Sequence, residues 1–182
     1  RLTVQPGTVI WFRKLGLIVK GELQINGTEA DPVRFASLGS HNWKGIFFDK
    51  SQTVNRLQYC QISNAEFGIR SSVSTVNLQN CIFQDNVWGI VIEEGRTEIH
   101  NSLVRTSDKI GIAARKSHLL VRDSVITENG SGGFILEKSK ARIERNNILN
   151  NGNWAIKAVN SASGVTAANN WWGVDDPEQT EI

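Results

Sequence analysis

The sequence predicts an all-β solenoid, a single-stranded parallel β-helix with about 21–23 residues per coil, and three observations carry that prediction. The first is a repeat between Leu57 and Ile156, in blocks that read LQYCQISNA–FGI, LQNCIFQDN–WGI, IHNSLVRTS–IGI, VRDSVITEN–GGF and IERNNILNN–WAI. The blocks start at Leu57, Leu78, Ile99, Val121 and Ile143 and close on Gly68-Ile69, Gly89-Ile90, Gly111-Ile112, Gly133-Phe134 and Ala155-Ile156. A constant period of this length marks a solenoid. The second is local pattern: each block holds three short runs of period-2 alternation and no run of ten residues with helical spacing. A leucine-rich repeat has a similar period, but it is dominated by Leu and returns through a helical segment. The third is that apolar residues recur in columns, which stacked coils bury against one another.

Residues 1–56 read as the opening coils. LTVQPGTVIWF sets a Pro-Gly turn between two alternating runs, and GLIVKGELQINGT alternates Leu17, Val19, Gly21, Leu23 and Ile25. DPVRFAS adds a strand with Val33 and Phe35 on one side, followed by a looser Ser37–Asn42 loop and NWKGIFF.

Residues 57–168 are the regular repeats. Their columns are Leu57, Leu78, Ile99, Val121, Ile143; then Ile62, Phe83, Val104, Ile126, Ile148; then Ile69, Ile90, Ile112, Phe134, Ile156. Three strands joined by bends make one triangular coil, which climbs about 4.8 Å, one strand spacing. Polar slots stack as well: Asn64, Asp85, Thr106, Glu128, Asn150, and beside them Ala65, Asn86, Ser107, Asn129, Asn151. Asn tolerates the left-handed backbone of a bend, so these slots are expected to be structural. Cys60 and Cys81 share a slot with Ser102, Ser124 and Asn146. Stacked Cβ atoms sit about 4.8 Å apart where a disulfide prefers about 3.8 Å, so two buried thiols are expected.

Residues 169–182 are expected to form the last coil and a partial cap beginning at Asp175, with one ring of Trp171 and Trp172 covering the coil below. The whole, 1–182, reads as one domain. Arg1 stands directly before a strand, the opening residues do not read as a signal peptide, and Met is absent. The chain is therefore expected to be a mature product or a piece of a longer protein. Exposed strand edges at its ends predict contact with flanking sequence or another subunit.

Composition excludes some classes. The net charge of +2 gives no whole-molecule drive toward nucleic acid or an anionic membrane, and no apolar run approaches the ~20 residues of a membrane span. The three His have no ligand spacing, neither Cys has a base beside it, and no outward column holds three carboxylates. No cofactor or metal is expected.

The opening LTVQPGTVIWF…GELQINGTEADPVRFAS…NWKGIFF, the N-x-I-x-x-N…GI repeat and the closing NNWWGVDDPEQTEI together resemble the right-handed parallel β-helix repeat family, which shares the pectin-lyase-like fold. The resemblance implies a right-handed coil and an extracellular, cell-surface or periplasmic setting. It leaves activity open, because that family holds lyases, hydrolases, epimerases and non-catalytic surface domains. The Asn-Thr-Asp, Gly-His-Gly and Arg-Ile-Lys motifs of its hydrolases are missing, and the one Asp pair, Asp175-Asp176, lies in the terminal segment.

The remaining candidates are outward cations. Arg96, His118 and Lys140 form a basic column flanked by Lys116 and Lys138, and Arg105, Lys109 and Arg115 cluster nearby in sequence. Repeated cations along one face complement an acidic polysaccharide, or are neutralised as structural ion pairs. Glu93, Arg115 and Glu137 form an alternating ladder, Arg122 stacks on Glu144 and Asp123 on Arg145, and pairs of this kind fix register. Trp88 and Trp154, just before the Gly-Ile and Ala-Ile pairs, are expected to point inward or into a corner. The sequence thus predicts a non-catalytic module that binds an extended partner such as a polysaccharide or serves as a rigid spacer. The alternative is a lyase-like enzyme acting on acidic polysaccharide through the 105–118 cluster of Arg105, Asp108, Lys109, Arg115, Lys116 and His118, with no catalytic residue identified.

Overall fold

Single residues turn this chain at its corners. Between the strands Val54–Gln58, Cys60–Ser63 and Ala65–Ser72 stand Tyr59 and Asn64, both left-handed, with φ of 47° and 55°. The computed structural model describes residues 1–161 and 164–173, and across them the same geometry recurs at three corners of every regular coil. One corner column is Tyr59, Asn80, Asn101, Asp123, Arg145 and Asn169; the second is Asn64, Asp85, Thr106, Glu128 and Asn150; the third is Lys50, Val73, Glu94, Lys116, Lys138 and Asn160. Asn and Asp fit such a backbone. Lys, Glu, Arg and even Val occupy it here, so stacking imposes the bend on whatever residue the register delivers.

The strands form three parallel sheets, of eight, seven and seven strands, and the chain visits them in rotation. This is a right-handed parallel β-helix of about eight turns. The first sheet runs from Leu2–Val4 to Val165–Ala168, the second from Val9–Phe12 to Asn147–Leu149, and the third from Leu17–Val19 to Ile156–Val159. The expected columns are register partners: Leu57 pairs with Leu78, Leu78 with Ile99, Ile99 with Val121 and Val121 with Ile143. Phe35, Phe48, Phe83 and Phe134 fill the interior together with Trp43, whose ring stacks on Phe12 at 4.3 Å. Trp172 packs against this core while Trp171 stays exposed. The cap expected from Asp175, with its Asp pair, lies outside the described residues.

Just inside each corner a polar ladder climbs the axis. At the first, Cys81 N–H donates to Ser102 Oγ at 3.1 Å, Ser102 N–H to Ser124 Oγ at 3.1 Å, and Ser124 N–H to Asn146 Oδ1 at 3.0 Å. The second joins Ser107, Asn129 and Asn151, and the third joins Ser117, Ser139 and Ser161. Backbone groups that a tight bend would leave unpaired thus find side-chain oxygens on the next coil. Both cysteines are free and fully buried, and burial pushes the Cys81 thiol up to about 12.

Candidate functional site

Alternation along a strand sends every second side chain outward. On the first sheet this brings Arg96, His118 and Lys140 into one column, paired across the strands Arg96–His100, His118–Arg122 and Lys140–Glu144. Two residues further along, Glu98, Leu120 and Arg142 form a second outward column, and after them come His100, Arg122 and Glu144. All of these but His100 line an open groove of about 550 Å³ that crosses the strands and continues to Arg145 and Thr166. Its lining carries five permanent cations, Arg96, Arg122, Lys140, Arg142 and Arg145, against the carboxylates Glu98 and Glu144.

Those charges are partly spent. Arg96 binds Glu98 at 2.8 Å, Arg142 binds Glu144, and Arg145 grips Asp123 with two bonds of 2.8 Å. The Arg96 hydrogen bond holds the Glu98 carboxyl below its usual range, and that of Arg145 does the same for Asp123. Arg122 Nε donates to His100 Nδ1 at 2.7 Å. Burial first, and the Arg122 charge second, push the His100 imidazole down, so it accepts that bond as a neutral ring. Lys140 and His118 meet no carboxylate within 4.0 Å among the described residues. Arg122, bound to His100, meets none either, and these three are the groove's donors left without a carboxylate among the described residues.

The structure does not gather all eight basic candidates. Arg105 is on the outer face of the second sheet, where its Nη2 donates to Gln84 at 2.9 Å. Lys109 lies 5.1 Å from the Trp88 ring centroid, and Arg115 sits on the third sheet, 4.0 Å from Glu93. Lys116 occupies a corner, bound to Glu94 at 3.2 Å, and Lys138 is the corner residue one coil on. The groove keeps Arg96, His118 and Lys140, and adds Arg122, Arg142 and Arg145. Two of the added three were legible, because Arg122 and Arg142 continue the outward period of 2 from His118 and Lys140.

Trp88 and Trp154 are half-buried on the outer face of the third sheet, not inside. Gly89 and Ile90 are both buried, so two consecutive residues face inward and Trp88 is thrown to the other side. A Cβ on Gly89 would lie 2.3 Å from the Gly111 carbonyl oxygen, which keeps that position glycine. Neither ring offers a free platform: Phe67 stacks on Trp88 at 6.4 Å, Lys109 covers it, and Lys157 covers Trp154 at 4.6 Å. Of the two glycosylation-like tripeptides, at Asn26-Gly27-Thr28 and Asn129-Gly130-Ser131, the second places its Asn fully inside a ladder. Among the described residues no three His, Cys, Asp or Glu side chains converge on a metal position.

The chain matches the family model described as "Right handed beta helix region" over residues 25–172. No curated protein matches it. Among solved structures, that of an alginate lyase from Paenibacillus sp. str. FPU-7 is similar at 11% identity. The likeness covers 94% of this chain and 87% of that one, with a TM-score of 0.48.

Proposed function

We propose, from the premise that this chain belongs to the right handed beta helix region family, that it is a non-catalytic extracellular, cell-surface or periplasmic module binding an extended anionic polysaccharide. The observation that carries this reading is the groove across the first sheet, with five permanent cations against two carboxylates and with Lys140 unpaired among the described residues. Its rungs repeat about every 4.8 Å along the solenoid axis, so a polymer with regularly spaced carboxylates or sulfates meets a cation on successive coils. Guanidinium groups fit such anions with paired N–H donors, and the sheet beneath holds them in place before binding.

The test is binding of pectate, alginate and a glycosaminoglycan at low and high salt, with neutral dextran as control. Lys140→Ala and Arg142→Ala should each weaken polyanion binding by about tenfold, or ~1.4 kcal/mol. Absence of any polyanion binding at low salt would overturn the reading and leave a rigid spacer. One observation favours the competing lyase reading: His118 stands between Arg96 and Lys140 on adjacent strands, an imidazole with a cation on either side. Unsaturated product from any of these polymers, lost on His118→Ala, would displace the non-catalytic reading.

A further inference from the structure

A second concavity differs in character from the basic groove. It lies on the outer face of the third sheet, encloses about 530 Å³, and is walled by Leu15, Leu17, Ile18, Phe47 and Phe67. Leu15 and Ile18 are 78% and 63% exposed. Few side chains here could bond the hydroxyls of a sugar: Lys44 and Glu66 are bound to each other. That leaves Arg70. Its guanidinium carbon is 5.7 Å from the Phe47 ring centroid and 5.5 Å from that of Phe67, rings on adjacent coils.

Arg70 is fixed but little used. Its one hydrogen bond runs from Nη2 to Glu93 Oε1 at a long 3.4 Å, while a guanidinium offers five N–H donors. Its Nε is buried without an acceptor, so the end bearing the two Nη atoms is the one that faces outward. Glu93 does not depend on Arg70, because its other oxygen is 4.0 Å from Arg115. A carboxylate arriving at Arg70 therefore leaves Glu93 a partner. With Lys44 and Glu66 cancelling, the lining carries one net positive charge.

We propose that this concavity binds a small amphiphilic carboxylate, an apolar aromatic or aliphatic body ended by one carboxyl group. The carboxylate takes the outer edge of Arg70, and the body covers Ile18 and Leu15. The volume lies within the roughly 300–1,000 Å³ of small-molecule sites. The rings that hold the guanidinium spare the complex the cost of ordering it.

Calorimetric titration of residues 1–182 with 3-phenylpropionate and octanoate tests this, with 3-phenylpropionamide as the uncharged control. Both acids should saturate, at least about tenfold more tightly than the amide. Arg70→Gln should abolish the preference for acid over amide. Ile18→Asn, at an exposed side chain, should weaken both acids without lowering the melting temperature, and Lys140→Ala should change neither. The proposal falls if the acids give no saturable heat at millimolar concentration. It falls equally if acid and amide bind alike, or if Ile18→Asn binds as the wild type does.

Discussion

Asn151 Oδ1 accepts two hydrogen bonds from Asn129, one from its backbone N–H at 3.1 Å and one from its side-chain Nδ2 at 2.9 Å. Asn129 Oδ1 in turn accepts from Ser107 N–H at 3.1 Å, and its Nδ2 reaches the Val104 carbonyl at 3.3 Å. One fully buried side chain therefore serves two backbone groups on the coil before it and bonds a side chain on the coil after it. Asn129→Ala strands the Ser107 N–H, and each such buried group costs about 1–3 kcal/mol. We expect the variant to lose about 3 kcal/mol in denaturant unfolding, while the exposed neighbour change Glu128→Ala stays within about 0.5 kcal/mol. A loss below ~1 kcal/mol for Asn129→Ala would show that the ladder does not stabilise the stack.

Val73 carries a β-branched side chain at φ 48° and is 43% exposed. Left-handed backbone costs an ordinary residue roughly 1–2 kcal/mol, and Asn tolerates it. Asn160 already occupies the same corner. Val73→Asn should therefore raise stability by about 1 kcal/mol, read as a higher denaturation midpoint with an unchanged slope. A lowered midpoint would mean that the valine methyls contribute more than the bend costs.

His100 gives stability a pH dependence whose sign follows from its depressed folded value. An unfolded imidazole titrates near about 6.5. Between that value and the lower folded one, the unfolded chain binds more protons, so stability rises with pH there. The contribution is complete above ~6.5 and is lost as pH falls through the folded value. Glu98 and Asp123, also lowered, add a second loss further into acid. Replacing His100 by Asn should remove the upper step from a plot of melting temperature against pH and keep the lower one. An unchanged upper step in that variant would assign it to another group.

The fold was legible because a solenoid writes its register into the sequence. Leu57, Leu78 and Ile99 recur at the block starts and lie on neighbouring strands as direct partners. Alternation failed where two consecutive residues face inward, at Gly89 and Ile90, and it took Trp88 to the wrong side. Nothing in a single block marks that step, since the reason for the glycine is a carbonyl on the next coil.

The site was legible in its column and in one of its pairs, Asp123 with Arg145, but not in the rest of its pairing. Arg122 and Glu144 are register partners, as expected, yet Glu144 turns to Arg142 on its own strand and Arg122 binds His100. Residues two apart on a strand share a face, so a same-strand cation competes with the cross-strand one at similar distance. The choice between them depends on rotamers. The Arg70 site left even less trace, because Phe47 comes from one coil, Phe67 and Arg70 come from the next, and the three share no motif.

The bonds of the three sheets and the three ladders run along the solenoid axis, from each coil to the next. Tension applied lengthwise is therefore carried by all the coil boundaries in series, and the weakest yields first with the other coils still closed. Each boundary that yields lets out one repeat of 21–23 residues, about 70–80 Å of extended chain. Such a rod resists bending, yet under sufficient load it lengthens in equal increments and limits the force it passes to whatever it joins.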